Sequence, residues 1–187
     1  MIEIEVKASV QDPKQMERSI IELGATPIGI EAQADTYYNA PYRDFAKTDE
    51  ALRIRVLDNK SILTYKGPKM DKVSKTRKEV QTEIQDLDNM GNILSSLGFF
   101  PVATVSKKRK NFRIGDFCIS LDEVRNLGNF IEVEITVKDP RNHQEKVESI
   151  FKFIAKLGIN RESTIRKSYL EMILEKNRVD IRSHTVE

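Results

Sequence analysis

Met1-Ile2-Glu3-Ile4-Glu5-Val6-Lys7 opens the chain. Side chains of a strand alternate between faces, so this stretch puts Ile2, Ile4 and Val6 on one side and Glu3, Glu5 and Lys7 on the other. Alone, such a row reads as the solvated face of a half-buried strand. The pattern recurs, however. Phe130–Thr136 repeats it with Glu132 and Glu134, and Ala51–Val56 repeats it with Arg53 and Arg55. Charge of both signs, alternating on separate strands, predicts one ionic surface shared among them that holds a highly charged ligand.

A chain of 187 residues suffices for one domain with a substantial core, whereas two domains would each be small. Residues 1–176 read as that domain and 177–187 as a polar tail. Charged residues make up 32% of the chain but the net charge is only +2, which implies neither a general nucleic-acid-binding surface nor an acidic tail. The single cysteine, Cys118, rules out an internal disulfide and fits a reducing compartment. No apolar run has the roughly 20 residues of a membrane-spanning helix, and the first residues lack the pattern of a signal peptide. The expectation is a cytoplasmic protein with no membrane and no nucleic-acid partner.

Three units repeat along the chain, each a charged strand followed by an amphipathic helix ending at Leu-Gly. The first helix spans Pro13 to Leu23, with Asp12 as N-cap, Met16, Ile20 and Leu23 on one face and Gly24 as the stop. The second follows a strand at Arg77–Gln85 and runs from Asp88 to Leu97, carrying Met90, Ile93, Leu94 and Leu97. The third passes through Asp139-Pro140 and carries Val147, Ile150, Phe151, Ile154 and Leu157. Further strands are expected at Ile28–Tyr38, Ala51–Leu57, Ser61–Lys66, Val102–Ile114 and Phe117–Val124, joined partly by hairpins at Asp58-Asn59 and Gly115-Asp116. A last helix, Ile165–Lys176, shows Ile165, Tyr169, Met172 and Ile173 on one side.

The helices' apolar stripes must pack on the apolar face of the strands. The charged face then points away from them, and a sheet that curls and closes turns it into an interior. The fold class expected is α+β: an eight-stranded antiparallel β-barrel or tunnel with a charged interior and helices packed outside. Strand parity lines that interior with Glu3, Glu5, Glu79, Glu83, Asp122, Glu132 and Glu134, and with Lys7, Arg53, Arg55, Lys66, Lys107, Arg109 and Arg113. Carboxylates without imidazole or thiolate suit a hard divalent cation such as Mg²⁺ or Mn²⁺. Clustered arginine and lysine suit phosphate oxygens. A metal-chelated triphosphate uses both sets. The plainer alternative is a set of exposed cross-strand ion pairs, each worth only about 0.2–1 kcal/mol.

The chain resembles the CYTH superfamily, the triphosphate tunnel metalloenzymes, over nearly its whole length. Glu3-Ile4-Glu5-Val6-Lys7 is similar to the family's opening ExExK. The other landmarks follow in order: Ala51–Arg55, Leu63-Thr64-Tyr65-Lys66-Gly67, Lys107-Lys108-Arg109, Leu121-Asp122-Glu123-Val124 and Gly128–Glu134. Asp35–Tyr38 and Ser168–Glu171 also look like family segments. The likeness is greatest to the class IV adenylate cyclase-like branch, whose members tend to be dimers, so a homodimer is an open expectation. The resemblance implies a divalent-metal-dependent enzyme acting on a triphosphate. Glu5 and Glu134 would be the central metal ligands, with Glu3 and Glu132 nearby and Asp122 completing the acidic set or orienting a metal-bound water. Lys7, Arg53, Arg55, Lys66, Lys107 and Arg109 would grip the triphosphate, and Lys7, Arg55, Lys66 and Asp122 would act in the chemical step. The leading activity is conversion of ATP to cyclic AMP and pyrophosphate. The alternatives are hydrolysis of an inorganic or organic triphosphate, such as tripolyphosphate or thiamine triphosphate, and binding of a nucleotide or polyphosphate without chemistry.

Other signals weigh less. The basic segment Lys66–Lys78 reads as a solvated loop or a lid over a phosphate site and lacks the spacing of a Walker A loop. His143 and His184 are isolated and are not expected to bind metal. Cys118 reads as a small buried residue. Tyr37 and Tyr38 alternate, so one is expected toward the ligand and the other toward the outer core.

Overall fold

Alternating charged and apolar residues build eight strands, which a computed structural model arranges as one antiparallel sheet; it describes residues 2–58, 60–69, 77–137 and 143–183. The strands are β1 (Ile2–Ser9), β2 (Thr26–Asn39), β3 (Ala51–Leu57), β4 (Lys60–Lys69), β5 (Arg77–Ile84), β6 (Phe100–Ile114), β7 (Phe117–Val124) and β8 (Gly128–Val137). The helices are α1 (Pro13–Glu22), α2 (Leu87–Ser96), α3 (His143–Lys156) and α4 (Tyr169–Ser183). Asp139-Pro140, His184, the end of the tail and residues 70–76 of the basic loop lie outside the described residues. The strand order is β1-β8-β7-β6-β2-β3-β4-β5, antiparallel throughout. The α+β class and tunnel-like fold stand as expected. The ladder does not close into a ring: among the described residues, β1 and β5 remain the two edges of the sheet.

Local chemistry sets the first two helices. The Asp12 carboxylate accepts from Gln15 N at 2.9 Å with Pro13 in the first turn, and the Asp86 carboxylate accepts from Asn89 N at 2.9 Å. Gly24 and Gly98 end them at φ values of +93° and +86°, where a side chain would be strained.

Three apolar clusters then fix the layers. In the largest, Met16, Ile20 and Leu23 of α1 and Val147, Ile150, Ile154 and Leu157 around α3 pack with Ile4, Ala8, Phe112, Ile119, Ile131, Val133 and Ile135 of the strands. In the second, Met90 and Leu94 of α2 pack with Leu52, Ile54, Leu63 and Ile84. Ile93 and Leu97, expected on the same buried stripe, stay exposed because only one of two neighbouring rows of α2 meets the sheet.

The third cluster departs from expectation. Tyr169, Leu170, Met172 and Ile173 of α4 pack on Val105, Val124 and Phe130. Those three share strand parity with Lys107, Asp122 and Glu132, so α4 lies on the charged side of the sheet. It covers one end of that face, while α1, α2 and α3 sit outside. The helix also starts later than its apolar spacing predicts. Thr164 bridges to Ala8 and Ile165 N donates to Lys7 O at 2.7 Å, which holds this stretch extended along β1. Ser168 and Glu171 then form a reciprocal capping box: Glu171 N donates to Ser168 Oγ at 3.2 Å, and Ser168 N to Glu171 Oε2 at 2.6 Å.

Candidate functional site

Strand register gathers the charged candidates onto one surface. Across β1, β8, β7 and β6 the paired rows are Glu5–Glu134–Cys118–Arg113 and Lys7–Glu132–Ser120–Asn111. Arg109 pairs with Asp122, and Lys107 with Gln33. On the other side of β2, Asp35 pairs with Arg55 and Tyr37 with Arg53, and the face continues through Thr64 and Lys66 of β4 to Glu79 and Glu83 of β5. Glu3 takes the next position of the first ladder, opposite Thr136. Lys7 of β1 and Lys107 of β6 meet on a single tyrosine ring, although in a flat sheet the strands β1 and β6 alone would lie about 14 Å apart. The sheet therefore curves, with its charged face on the concave side.

Burial is graded along this concavity. Lys7, Asp35, Arg53, Lys107 and Asp122 are buried, with Asp122 only 1% and Lys7 only 2% exposed. Glu5, Arg55, Lys66, Arg109, Glu132 and Glu134 are half-buried, and Glu79, Glu83 and Arg113 are exposed. The deep end is the one that α4 covers.

Isolated buried charges would be expelled by their desolvation cost, so each needs a close partner. Two arginine–carboxylate forks supply most of the pairing. Arg55 Nε and Nη2 donate to the Asp35 oxygens at 2.6 and 2.7 Å, and Arg53 Nη1 stands 3.6 Å from the same carboxylate. Arg109 Nε and Nη2 donate to the Asp122 oxygens at 2.6 and 2.5 Å, and Arg109 also binds Glu132. Asp122 Oδ2 further accepts from the Tyr169 hydroxyl at 2.9 Å and from Lys107 Nζ at 3.5 Å, and Lys7 Nζ lies 3.8 Å from Glu132. Lys66 Nζ meets Glu79 at 2.5 Å.

Acidities follow from these contacts. Burial alone would raise the Asp35 and Asp122 carboxyls, but the hydrogen bonds and charges of Arg55 and Arg109 hold both below the usual carboxylate range. Burial pushes the Lys107 ammonium down, and the Arg109 charge adds to that shift. An incoming anion would oppose both effects. Burial and then the Glu132 and Asp122 charges raise the Tyr169 hydroxyl far above its ordinary value, so it is a neutral donor.

The surface suits an oxygen-rich anion. Arg53 Nε is buried with no hydrogen-bond partner, a donor that a phosphate oxygen would satisfy. A divalent cation fits the donor set as well. Glu5 and Glu134 stand directly opposite each other across β1 and β8, where like charges cost stability that a shared cation would offset, and both offer hard oxygen ligands. Among the described residues no three His, Cys, Asp or Glu side chains converge as a preformed metal site. Asp122 is engaged by Arg109, Lys107 and Tyr169.

Several participants were not on the expected interior. Asp35 and Gln33 follow from the parity of β2, had that strand been placed on the same ladder as β3. Tyr169 carries no such signal, because it comes from a helix. Tyr37 joins the cluster under α4, and Tyr38 packs in the cluster of α2, as their alternation predicts. Cys118 is a correction: it is half-buried on the charged face, opposite Glu134, because it shares parity with Ser120 and Asp122. Arg113 Nη2 lies 3.5 Å from its sulfur.

Fold and site together define an α+β protein whose curved antiparallel sheet presents a concave, mixed-charge face. The chain belongs to the CYTH family: the CYTH domain model matches residues 1–169. It is 40% identical over 172 residues to a Methanocaldococcus jannaschii protein named as a candidate adenylate cyclase, covering 92% of this chain and 98% of that one. Among solved structures, a Pyrococcus horikoshii OT3 protein matches with a TM-score of 0.84 and 42% identity, covering 93% of this chain and 99% of that one. A Hippeastrum protein, described as a candidate adenylyl cyclase with a dominant triphosphatase activity, shares the fold at a TM-score of 0.68 and 18% identity, covering 94% of this chain and 95% of that one. No helix among the described residues is long and apolar enough to cross a membrane.

Proposed function

We propose that this chain is a divalent-metal-dependent enzyme acting on a triphosphate, with ATP cyclisation to cyclic AMP and pyrophosphate as its leading activity. The observation that carries this reading is the register, which sets Lys7, Arg53, Arg55, Lys107 and Arg109 around one concavity that also holds Glu5, Glu132 and Glu134. Phosphoryl transfer asks for alignment and charge neutralisation more than for a covalent nucleophile, and this set supplies both. Arg53, Arg55 and Arg109 offer fork-shaped donors to non-bridging oxygens, while Lys7, Lys66 and Lys107 act as point charges. Asp35 and Asp122 keep the guanidinium planes of Arg55 and Arg109 oriented before substrate arrives. Glu5 and Glu134, with Glu3 and Glu132 beside them, would hold Mg²⁺ or Mn²⁺. The ion would neutralise charge on the phosphate oxygens. In cyclisation the 3′-hydroxyl oxygen bonds to the α-phosphorus, the bond to the bridging oxygen of pyrophosphate breaks, and the hydroxyl proton passes to solvent.

A second reading is triphosphatase activity, in which water attacks the terminal phosphorus in the same clamp. The exposure of Glu79 and Glu83 on the edge strand β5 favours it, since water reaches that end of the charged face. The activity named for the Hippeastrum protein points the same way. Incubation with ATP, tripolyphosphate and thiamine triphosphate plus Mg²⁺ or Mn²⁺, followed by product separation, decides between the readings. Cyclic AMP with equimolar pyrophosphate is the expected result. Orthophosphate alone would favour hydrolysis, and tight binding without any product would overturn both enzymatic readings.

A further inference from the structure

Tyr169, the first residue of α4, is 7% exposed, and the register that built the charged face did not supply it. Its ring carries Lys7 Nζ at 4.1 Å and Lys107 Nζ at 5.1 Å from the centroid. Phe130 backs the ring at a centroid distance of 5.1 Å, and the hydroxyl donates to Asp122 Oδ2 at 2.9 Å. Two ammonium groups brought together would ordinarily repel, but an aromatic face attracts cations and stabilises them away from water. The ion pairs of Lys7 with Glu132 and of Lys107 with Asp122, at 3.8 and 3.5 Å, are loose beside the contacts Arg109 makes to the same two carboxylates. The ring is one support that the two lysines share. It does not suit an anion itself, so any effect on a phosphate ligand passes through the ammonium groups.

We propose that Tyr169 is a positioning residue of the phosphate-gripping face: its ring holds Lys7 and Lys107 against one aromatic side chain so that both address one condensed phosphate chain. The proposal rests on the reading of this face as a triphosphate site. It makes α4 part of the site as well as a cover for it.

The test compares wild type, Tyr169→Phe and Tyr169→Leu in two separate measurements. The first follows modification of individual lysines by an amine-selective reagent, by mass spectrometry without ligand. Lys110, held by Glu17 of α1 at 2.5 Å, serves as the control for general loosening. The second is calorimetric binding of tripolyphosphate without metal. In Tyr169→Leu, Lys7 and Lys107 are expected to react at least about tenfold faster with Lys110 unchanged, and tripolyphosphate to bind at least about tenfold more weakly. Tyr169→Phe, which keeps the ring, should restore both to within about threefold of wild type. Unchanged Lys7 and Lys107 reactivity in Tyr169→Leu, or an equal rise at Lys110, overturns the proposal. So does undiminished tripolyphosphate binding in that variant. A lysine effect in Tyr169→Leu alongside wild type that binds no tripolyphosphate would instead overturn the functional reading, with the ring's hold on the lysines intact.

Discussion

Replacing Glu134 with glutamine is expected to lower turnover of the preferred triphosphate by roughly 10³-fold or more, about 4 kcal/mol of lost transition-state stabilisation. The physical reason lies in the β1/β8 ladder, where Glu134 stands opposite Glu5. An amide is nearly the same size but carries no charge, so it is a poor ligand for a hard dication while filling the same space. The melting temperature should stay within about 4 °C of wild type, since one like-charge neighbour is removed from Glu5 in the same step. Steady-state rates in saturating Mg²⁺ and in Mn²⁺, together with a thermal melt, check this. A folded Glu134→Gln protein with full activity would remove the carboxylate pair from the account.

The second large effect is on stability. Asp122→Ala leaves Lys107 without its carboxylate, takes the fork from Arg109, and strands the Tyr169 hydroxyl, all at the buried end of the concavity. Deleting one partner of a buried charge network costs about 3–5 kcal/mol, because the surviving charges stay desolvated. At roughly 2–4 °C per kcal/mol for a chain of this size, the melting temperature should fall by about 6–20 °C. Glu175→Gln is the contrast. It breaks an exposed pair with Lys167, where side chains are more than half exposed, and should change stability by less than about 0.5 kcal/mol. If the two variants melted together, the buried network would not be holding the deep end of the site.

How far the sequence predicted this site depends on the range of the contacts involved. Glu5, Glu134, Arg53, Arg55 and Lys7 were legible because a strand's period of two is local, and each sits in a clean alternation with Ile or Val. The N-cap at Asp12 and the stops at Gly24 and Gly98 are equally local, whereas the cap at Asp86 lies two residues before the expected helix start at Asp88. Asp35 was within reach of the same logic. Its role depended on knowing that β2 lies between β6 and β3, a long-range pairing that parity does not give. The placement of α4 was not legible. Its apolar stripe fits either side of the sheet, and the choice is made by the extended pairing of Thr164 and Ile165 with β1, which delivers the helix to the concave side. Ser168 and Glu171 carry the spacing of a capping box that could have moved the expected start from Ile165, but a capping box says nothing about where its helix packs. The open seam was hidden for a similar reason. Alternating charge specifies a face, while closure depends on whether β1 and β5 reach each other.

The central claim is that the concave face binds a metal-chelated triphosphate. A crystal grown with Mn²⁺ and tripolyphosphate measures it directly through the anomalous signal of the metal and the density of the phosphates. A manganese peak beside Glu5 and Glu134 is expected, with phosphate density against Arg53, Arg55, Lys107 and Arg109. Manganese and phosphate bound only on the outer surface, with this face empty at saturating ligand, would contradict it.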